Sequence, residues 1–408
     1  MRFNFFCVVV GIIIRKITEG ARFISKIFIT ESIRLFPDSE QEKYFHKACS
    51  LSVHIYNMAK QWDEEYRKST GKFADQQYLI GKLKEYKEIL SKEEDYPLES
   101  HTLREGVFRY LKARERFFKN GAGFPKWQSL KYKVKKSFYV REDRLRIFKN
   151  FIKAPGLYRL PTKRKNKVKY SKKGTRFLNY KPMSSRIVFD GKYWFLRFAV
   201  EVDVVPEKFY SKPIGVDFGI KSLMVSSDGT YIDPIWNEKR YTELVKRKKG
   251  LQKKLSRQRK YQKKDKRNKP SNNYFKTLTK LRSVERHIGE FKKAFKIAVS
   301  KEITKNNPSV VVLENLKVSN MIKNKRLSPK IHEVGWYALR KQIEWEQTKK
   351  MGRVILADTF FPSSKMCSRC HEKKDALSLS ERVYRCEFCG LEMDRDLNAA
   401  MNLAQLAM

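Results

Sequence analysis

The sequence predicts a chain of mixed class, in which an α/β domain is joined to a β-barrel and helical lobes. Three observations predict it. The apolar runs Ser309–Leu313 and Val354–Asp358 are too short for helices and suit central strands. Between Leu145 and Val200 the chain breaks into short segments rich in β-branched and aromatic residues, separated by turn signals such as Asp190-Gly191, as in a barrel or meander. Near the C-terminus, Cys367-Ser-Arg-Cys370 and Cys386-Glu-Phe-Cys389 have the ligand spacing of a four-cysteine zinc ribbon.

The first 27 residues contain the apolar run Phe5–Ile14, which at ten residues is about half of what a membrane-spanning helix needs. Arg15 and Lys16 follow it and no Ala-x-Ala cleavage site appears, so residues 1–27 are expected to be an extension or a buried strand, with no membrane role. Phe28–Phe36 reads as a strand stopped by Pro37, after which Asp38 or Ser39 can cap a helix running from Glu40 toward Lys60. Apolar spacing of three to four residues continues the helical pattern to about Lys119, ending at Gly121-Ala-Gly123-Phe-Pro125. The β-rich part then spans Leu145–Phe148, Lys167–Tyr170, Arg186–Phe189 and Tyr193–Val200.

Pro213 precedes a hairpin of Ile214–Ile220 and Ser222–Ser226, which opens the α/β domain. Helical flanks at Tyr241–Leu255 and Phe275–Ile303 surround a basic tract with 14 Lys or Arg between Lys246 and Lys269, broken at Asn268-Lys-Pro270. A helix is expected from Trp336 to Lys349 and a short one from Asn398 to Met408. The chain thus divides into an extension (1–27), a β-rich part (28–45 and 121–210), a helical lobe (46–120), an α/β domain (211–360 and 394–408) and a ribbon (361–393).

Charge narrows the partners. The chain carries 90 Lys plus Arg against 44 Asp plus Glu, a net +46, which would strain a compact fold unless a polyanion neutralised it. The basic residues are spread through a chain with 13% aromatics and are not confined to one amphipathic helix, which favours nucleic acid over a membrane surface. Cys7 and Cys49 show no disulfide framework, consistent with a reducing compartment.

The ribbon zinc is expected to be structural, because four thiolates leave no open coordination position. Three carboxylates suggest a second kind of metal chemistry. Asp217 ends one strand, Glu314 ends another and Asp396 opens the last helix. Any one alone is ordinarily a turn or cap residue. Convergent, they suit Mg²⁺ or Mn²⁺, the hard cations used in phosphodiester hydrolysis.

Gly215-Val-Asp217-Phe-Gly219-Ile220-Lys221, Leu313-Glu314-Asn315-Leu316, the two cysteine knuckles and Asp394-Arg-Asp396-Leu-Asn398-Ala-Ala-Met-Asn402 occur in the order found in TnpB, the OrfB-type proteins of bacterial insertion sequences. From Phe28 onward the chain resembles that family almost throughout, with Arg34-Leu-Phe-Pro37, Gln41, Tyr56-Asn57, Gly123-Phe-Pro125 and Phe361-Pro-Ser-Ser364 adding to the set. The resemblance implies an RNase H-like RuvC nuclease domain with the zinc ribbon inserted, and an N-terminal wedge-type barrel interrupted by a helical recognition lobe, as in type V CRISPR effectors. It implies that Asp217, Glu314 and Asp396 bind the catalytic metal, with Asp394 a helper or cap. It also implies a guide RNA from the element and a double-stranded DNA target beside a short adjacent motif. Base pairing would then read the sequence, leaving the protein to track backbones.

The chain departs from the family where an Arg-x-Asp-x-x-His-Lys signature aligns with Glu290-Phe-Lys292-Lys-Ala-Phe295-Lys296, keeping only the last lysine, and where His371 replaces a usual Gly. A DNA-binding regulator without useful catalysis, or a transposase that joins DNA ends, are the competing readings. The expected location is the cytoplasm near the nucleoid, or the nucleus in a eukaryotic host.

Overall fold

The computed structural model describes residues 25–93, 100–129, 136–154, 167–171, 181–204, 212–264, 270–378 and 381–407. The run Phe5–Ile14, Cys7 and the break at Asn268 lie outside them. The chain divides into two compact units, one built on Phe28–Val202 and the other on Asp203–Met408.

In the first unit, strand β1 (Ser25–Phe36) ends at Pro37 and helix α1 (Ser39–Thr70) follows. Of the two candidate caps the structure uses Asp38. Its carboxylate accepts from Gln41 N at 2.9 Å, and Gln41 Oε1 accepts from Asp38 N at 3.1 Å, a capping box that satisfies two donors at the helix start. Gly71, at φ 71°, ends the helix in the left-handed conformation that glycine adopts without strain. Helices α2 (Gln76–Glu93) and α3 (Ser100–Asn120) pack on α1 through Ile55, Leu79, Val107 and Tyr110. Buried among them, Asp63 accepts from Ala74 N at 2.7 Å, from Arg114 at 2.7 Å and from the Tyr110 hydroxyl at 2.5 Å, which offsets the cost of burying a carboxylate.

The β-rich segments are β2 (Lys136–Tyr139), β3 (Arg146–Ile147), β4 (Phe151–Lys153), β5 (Lys167–Tyr170), β6 (Met183–Phe189) and β7 (Trp194–Val204). With β1 they form a seven-stranded sheet in the order β2-β6-β7-β1-β5-β4-β3. The barrel expectation is corrected here: among the described residues the sheet is open, with β2 and β3 at its two edges and no pairing between them. Strand periodicity reports which face of a strand is buried, and is the same for an open and a closed sheet.

The second unit holds β8 (Ile214–Phe218), β9 (Met224–Ser226), β10 (Tyr231–Ile232), β11 (Val310–Leu313) and β12 (Arg353–Leu356), in the order β10-β9-β8-β11-β12. The sheet is mixed: β8, β11 and β12 are parallel, while β9 and β10 add antiparallel. Every residue of β11 is buried, as its unbroken apolar run requires of a central strand. Helices α4 (Lys239–Lys264) and α5 (Asn272–Ile303) pack through Tyr241, Val284 and Ile288, and α6 (Val318–Met321), α7 (Ser328–Val334) and α8 (Trp336–Lys349) follow β11. Helix α4 runs nine residues past the expected end at Leu255, because Lys, Arg and Gln are good helix formers and charge density alone does not stop a helix. The ribbon hairpin, β13 (Val383–Arg385) and β14 (Glu392–Asp394), leads directly into α9 (Arg395–Gln405). No described helix is long and apolar enough to cross a membrane.

One glycine decides how α9 packs. A Cβ placed on Gly215 would lie 2.0 Å from the carbonyl oxygen of Ala400 and 2.4 Å from Ala404 N, so α9 rests directly on the backbone of β8. Ala399, Ala400, Leu403 and Ala404 are buried in that contact region. Gly215→Ala should therefore overpack a site whose opposing atoms are backbone, destabilising the second unit by about 3 kcal/mol or more. Limited proteolysis and a thermal melt of the variant would register the loss, and an unchanged melt would contradict the packing.

Candidate active site and metal centre

The central strands set two of the carboxylates side by side. Leu313 is in register with Val216 across the parallel pair β11–β8, so the next residues, Glu314 and Asp217, emerge together at the carboxyl end of the sheet. Open α/β sheets present ligand-binding groups at this edge. The Glu314 amide extends the pairing by donating to Val216 O at 3.4 Å. Burial pushes the Asp217 carboxyl well above the usual carboxylate range, and the charges of Glu314 and Asp396 add to the rise while Arg395 opposes it. Glu314 is also raised by burial, tempered by hydrogen bonds from the Phe218 backbone and from Asp217. A hydrogen bond between two carboxyl groups needs a proton, and these directions place it on Asp217, donating to Glu314.

The third carboxylate arrives on α9. Asp394 is the N-cap, accepting from Asp396 N at 2.9 Å and from Leu397 N at 3.0 Å, which leaves Asp396 in the first helical turn free to face the strand ends. The two aspartates thus divide into a cap, Asp394, and a residue whose charge reaches Asp217, Asp396. Arg382 Nη1 stands 3.9 Å from Asp396 Oδ2. Across the sheet, Tyr231 is opposite Val225 and Val225 is opposite Asp217, so the three side chains share one face. The Tyr231 hydroxyl is raised by burial, by the Asp394 charge and by its hydrogen bond to Asp394. Nothing in the sequence marks Tyr231, because its place depends on strand register.

The four cysteines form a second centre. All four Sγ atoms lie within 4.8 Å of one another, the one cluster of this kind among the described residues. Sγ to Sγ is 3.6 Å for Cys367–Cys389 and 3.5 Å for Cys370–Cys386, and all four thiols are free. A tetrahedron with Zn–S bonds of about 2.3 Å has edges of about 3.8 Å, so the donor set fits zinc. His371 is no part of this cluster. It sits at φ 64° after the first knuckle, where the second knuckle has Gly390 at φ 69°. The left-handed turn that each knuckle requires explains why glycine is the expected residue there.

The asparagines of α9 join the two centres, a role that the sequence did not disclose. Asn398 Oδ1 accepts from Ser368 N at 2.9 Å, inside the first knuckle, and Asn398 Nδ2 donates to Met366 O at 2.7 Å. Asn402 Nδ2 donates to Ser363 O at 2.8 Å and Met366 O at 2.6 Å, and Gln405 Nε2 to Ser368 O at 2.8 Å. Both asparagines are fully buried. The knuckle is therefore bolted to the helix that carries Asp396, while the alanines between them seat that helix on β8.

Comparison with known proteins finds relatives along the chain. A family model described as Cas12f1-like, TNB domain covers residues 336–403, the segment from α8 through the ribbon to α9. A proposed RNA-guided DNA endonuclease of Streptomyces pristinaespiralis is 30% identical over 211 residues, 52% of this chain and 49% of that protein, so the match spans about half of that relative. InsQ of Escherichia coli strain K12, also named as a proposed RNA-guided DNA endonuclease, is 23% identical over 392 residues, 91% of this chain and 90% of that protein. Along most of its length the chain is thus similar to proteins named as RNA-guided DNA endonucleases. Among solved structures, Cas12f1 in complex with sgRNA and target DNA is 15% identical at a TM-score of 0.45, over 93% of this chain and 99% of that one.

The three carboxylates crowd together, so their effect on stability has a definite sign. Asp217, with its folded pKa raised, holds a proton that the unfolded chain has already released at the same pH, and stability falls as pH rises through that range. Asp217→Asn should raise the melting temperature of the protein in EDTA at neutral pH by about 2 °C or more. An unchanged or lowered melt would contradict the crowding. Cys386→Ser should reduce bound zinc from one ion per chain to well under half, as read by atomic absorption, and full zinc retention would count against the four-cysteine site.

Proposed function

We propose that the chain is an RNA-guided, divalent-metal-dependent DNA endonuclease encoded by a transposable element, and that Asp217, Glu314 and Asp396 are its catalytic residues. The observation that carries this is the meeting of Asp217 and Glu314 at the ends of adjacent parallel strands, with Asp396 close enough to act on Asp217 electrostatically. The relatives' names supply the guided endonuclease reading. The α/β sheet with this carboxylate placement supports an RNase H-like RuvC domain.

The donor set fits a hard cation: oxygen ligands only, crowded like charges and one proton shared where a metal would compete. Bound Mg²⁺ or Mn²⁺ would supply an activated water and charge stabilisation at the leaving oxygen. The chain's own contribution is rigidity. β8 and β11 fix two carboxylates through the sheet register, and the capped N-terminus of α9, held by the ribbon, fixes the third. A zinc held by the four cysteines would stay out of the reaction, since four thiolates would leave it no open position.

The net charge of +46 suits a protein that follows the backbones of a guide RNA and a double-stranded DNA target while base pairing reads the sequence. A short DNA motif adjacent to the target would be read by the protein itself. The intact set of carboxylates favours cleavage over the regulator reading.

Asp217→Ala should lower guided DNA cleavage by roughly 10³-fold or more while RNA and DNA affinities stay within about threefold. Gel analysis of cleavage beside filter binding would check this. Cleavage by the variant equal to that of the wild type would remove Asp217 from the mechanism, and joined rather than cut products would favour the end-joining transposase.

A further inference from the structure

Phe360 stands beside the carboxylates with nothing in the packing to account for it. It is 82% exposed, the most exposed large apolar side chain among the described residues. Its neighbour Phe361 packs against the buried cluster of Val310, Val312, Ala357 and Leu403, the last of these from α9. The core therefore takes one ring of the pair and leaves the other outside. A single exposed ring is ordinary on a protein surface, so its position decides whether it has a use.

That position is the carboxyl edge of the second sheet. Strand β12 ends in register with β11, Leu356 opposite Leu313, and the next amide, Ala357 N, donates to Leu313 O at 2.9 Å. The segment after β12 thus leaves the sheet beside Glu314. Asn315 Nδ2 donates to Thr359 Oγ1 at 3.3 Å, which ties this segment to the one that follows Glu314. Phe360 N donates to Asp358 Oδ1 at 2.8 Å and Phe361 N to Asp358 O at 3.1 Å, a turn that fixes the backbone under the exposed ring. Lys317, three residues past Glu314 and itself exposed, places Nζ 4.8 Å from the centre of that ring. An aromatic face and a cation are thereby held next to the strand end that carries Glu314.

A DNA strand crossing this edge brings a phosphate to the carboxylates and a base to either side of it. An unpaired base offers a face on which a ring stacks, and every base has such a face, so the contact accepts any sequence. A base within a duplex is covered on both faces by its neighbours. We propose that Phe360 stacks on an unpaired base of the DNA strand being cut, next to the scissile phosphate. Lys317 supplies a cation for the adjoining phosphate. A lysine over a solvent-exposed ring is a weak contact, and the ring exchanges it for the base. The stack holds the strand at one register over Asp217 and Glu314, so the protein sets which bond is presented while the guide selects the target. This rests on the endonuclease reading above and adds to it a residue that touches the substrate.

The test uses the chain purified with its RNA and a matching DNA duplex. The wild-type cut is mapped first, and single abasic nucleotides are then placed in the cut strand at each of the three positions on either side. The wild type should cut one of these substrates about tenfold or more slowly in single turnover, while its binding in EDTA stays within about twofold. Phe360→Ala should cut the intact duplex about tenfold or more slowly than the wild type, lose no further rate on that abasic substrate, and melt at the wild-type temperature. Phe360→Trp, which keeps a ring, should stay within about threefold of the wild type. Cutting by Phe360→Ala at the wild-type rate would overturn the proposal, as would a wild type indifferent to every abasic position. A slow Phe360→Ala that still shows the full abasic loss would overturn it too, because the ring would then act without touching the base. All three results leave the endonuclease reading standing, whereas a wild type that cuts no matching target would sink that reading and this proposal with it.

Discussion

The seating of α9 on β8 at Gly215 is the constraint on which the proposed site depends. A helix can lie against the backbone of a strand only where the strand has no side chain, and the Ala400 carbonyl occupies the space a Cβ would need. That contact brings the N-terminus of α9 to the carboxyl end of the sheet, where Asp217 and Glu314 already stand by register. Asp394 caps the same helix end, which fixes the orientation of Asp396 one turn on. Three carboxylates distant in sequence are thereby gathered through backbone geometry, with little demand on flexible side chains.

The ribbon belongs to this device. Asn398 and Asn402 reach from α9 into the segment before and within the first knuckle, and β14 runs without interruption into α9. Helix and knuckle therefore move as one piece. A metal held by the knuckles would add stiffness to the helix carrying Asp396 without touching a reacting atom. This would give a physical reason for placing the four-cysteine cluster just ahead of the last carboxylate. The basic charge acts on a different scale, drawing polyanions to the chain while the carboxylates remain a small acidic spot within it.

Much of this was legible in the sequence because local chemistry carried it. Pro37 stopped β1, Asp38 announced a helix start, the unbroken apolar run of β11 marked a buried strand, and the repeated Cys-x-x-Cys spacing marked the four-cysteine cluster. The carboxylates were legible as strand-end and helix-start residues, though their convergence follows from register and from the glycine at 215. What escaped the sequence was long-range. Asn398 and Asn402 bond to residues more than thirty positions away, and Tyr231 joins the Asp217 face only because two antiparallel pairings align it. The extent of α4 was missed for the opposite reason: its lysines read as a basic tract interrupting two helical flanks, yet each is a competent helix former. An open sheet was read as a barrel because alternation does not encode closure.

The most direct test of the account is to purify the chain with the RNA it retains from its native flanking DNA, sequence that RNA, and incubate the complex in Mg²⁺ with plasmids that do or do not match its terminal segment. The account predicts one discrete RNA species and cutting of the matching plasmid alone, abolished by EDTA. Heterogeneous RNA lost as salt rises, or cutting that ignores the match, would contradict it.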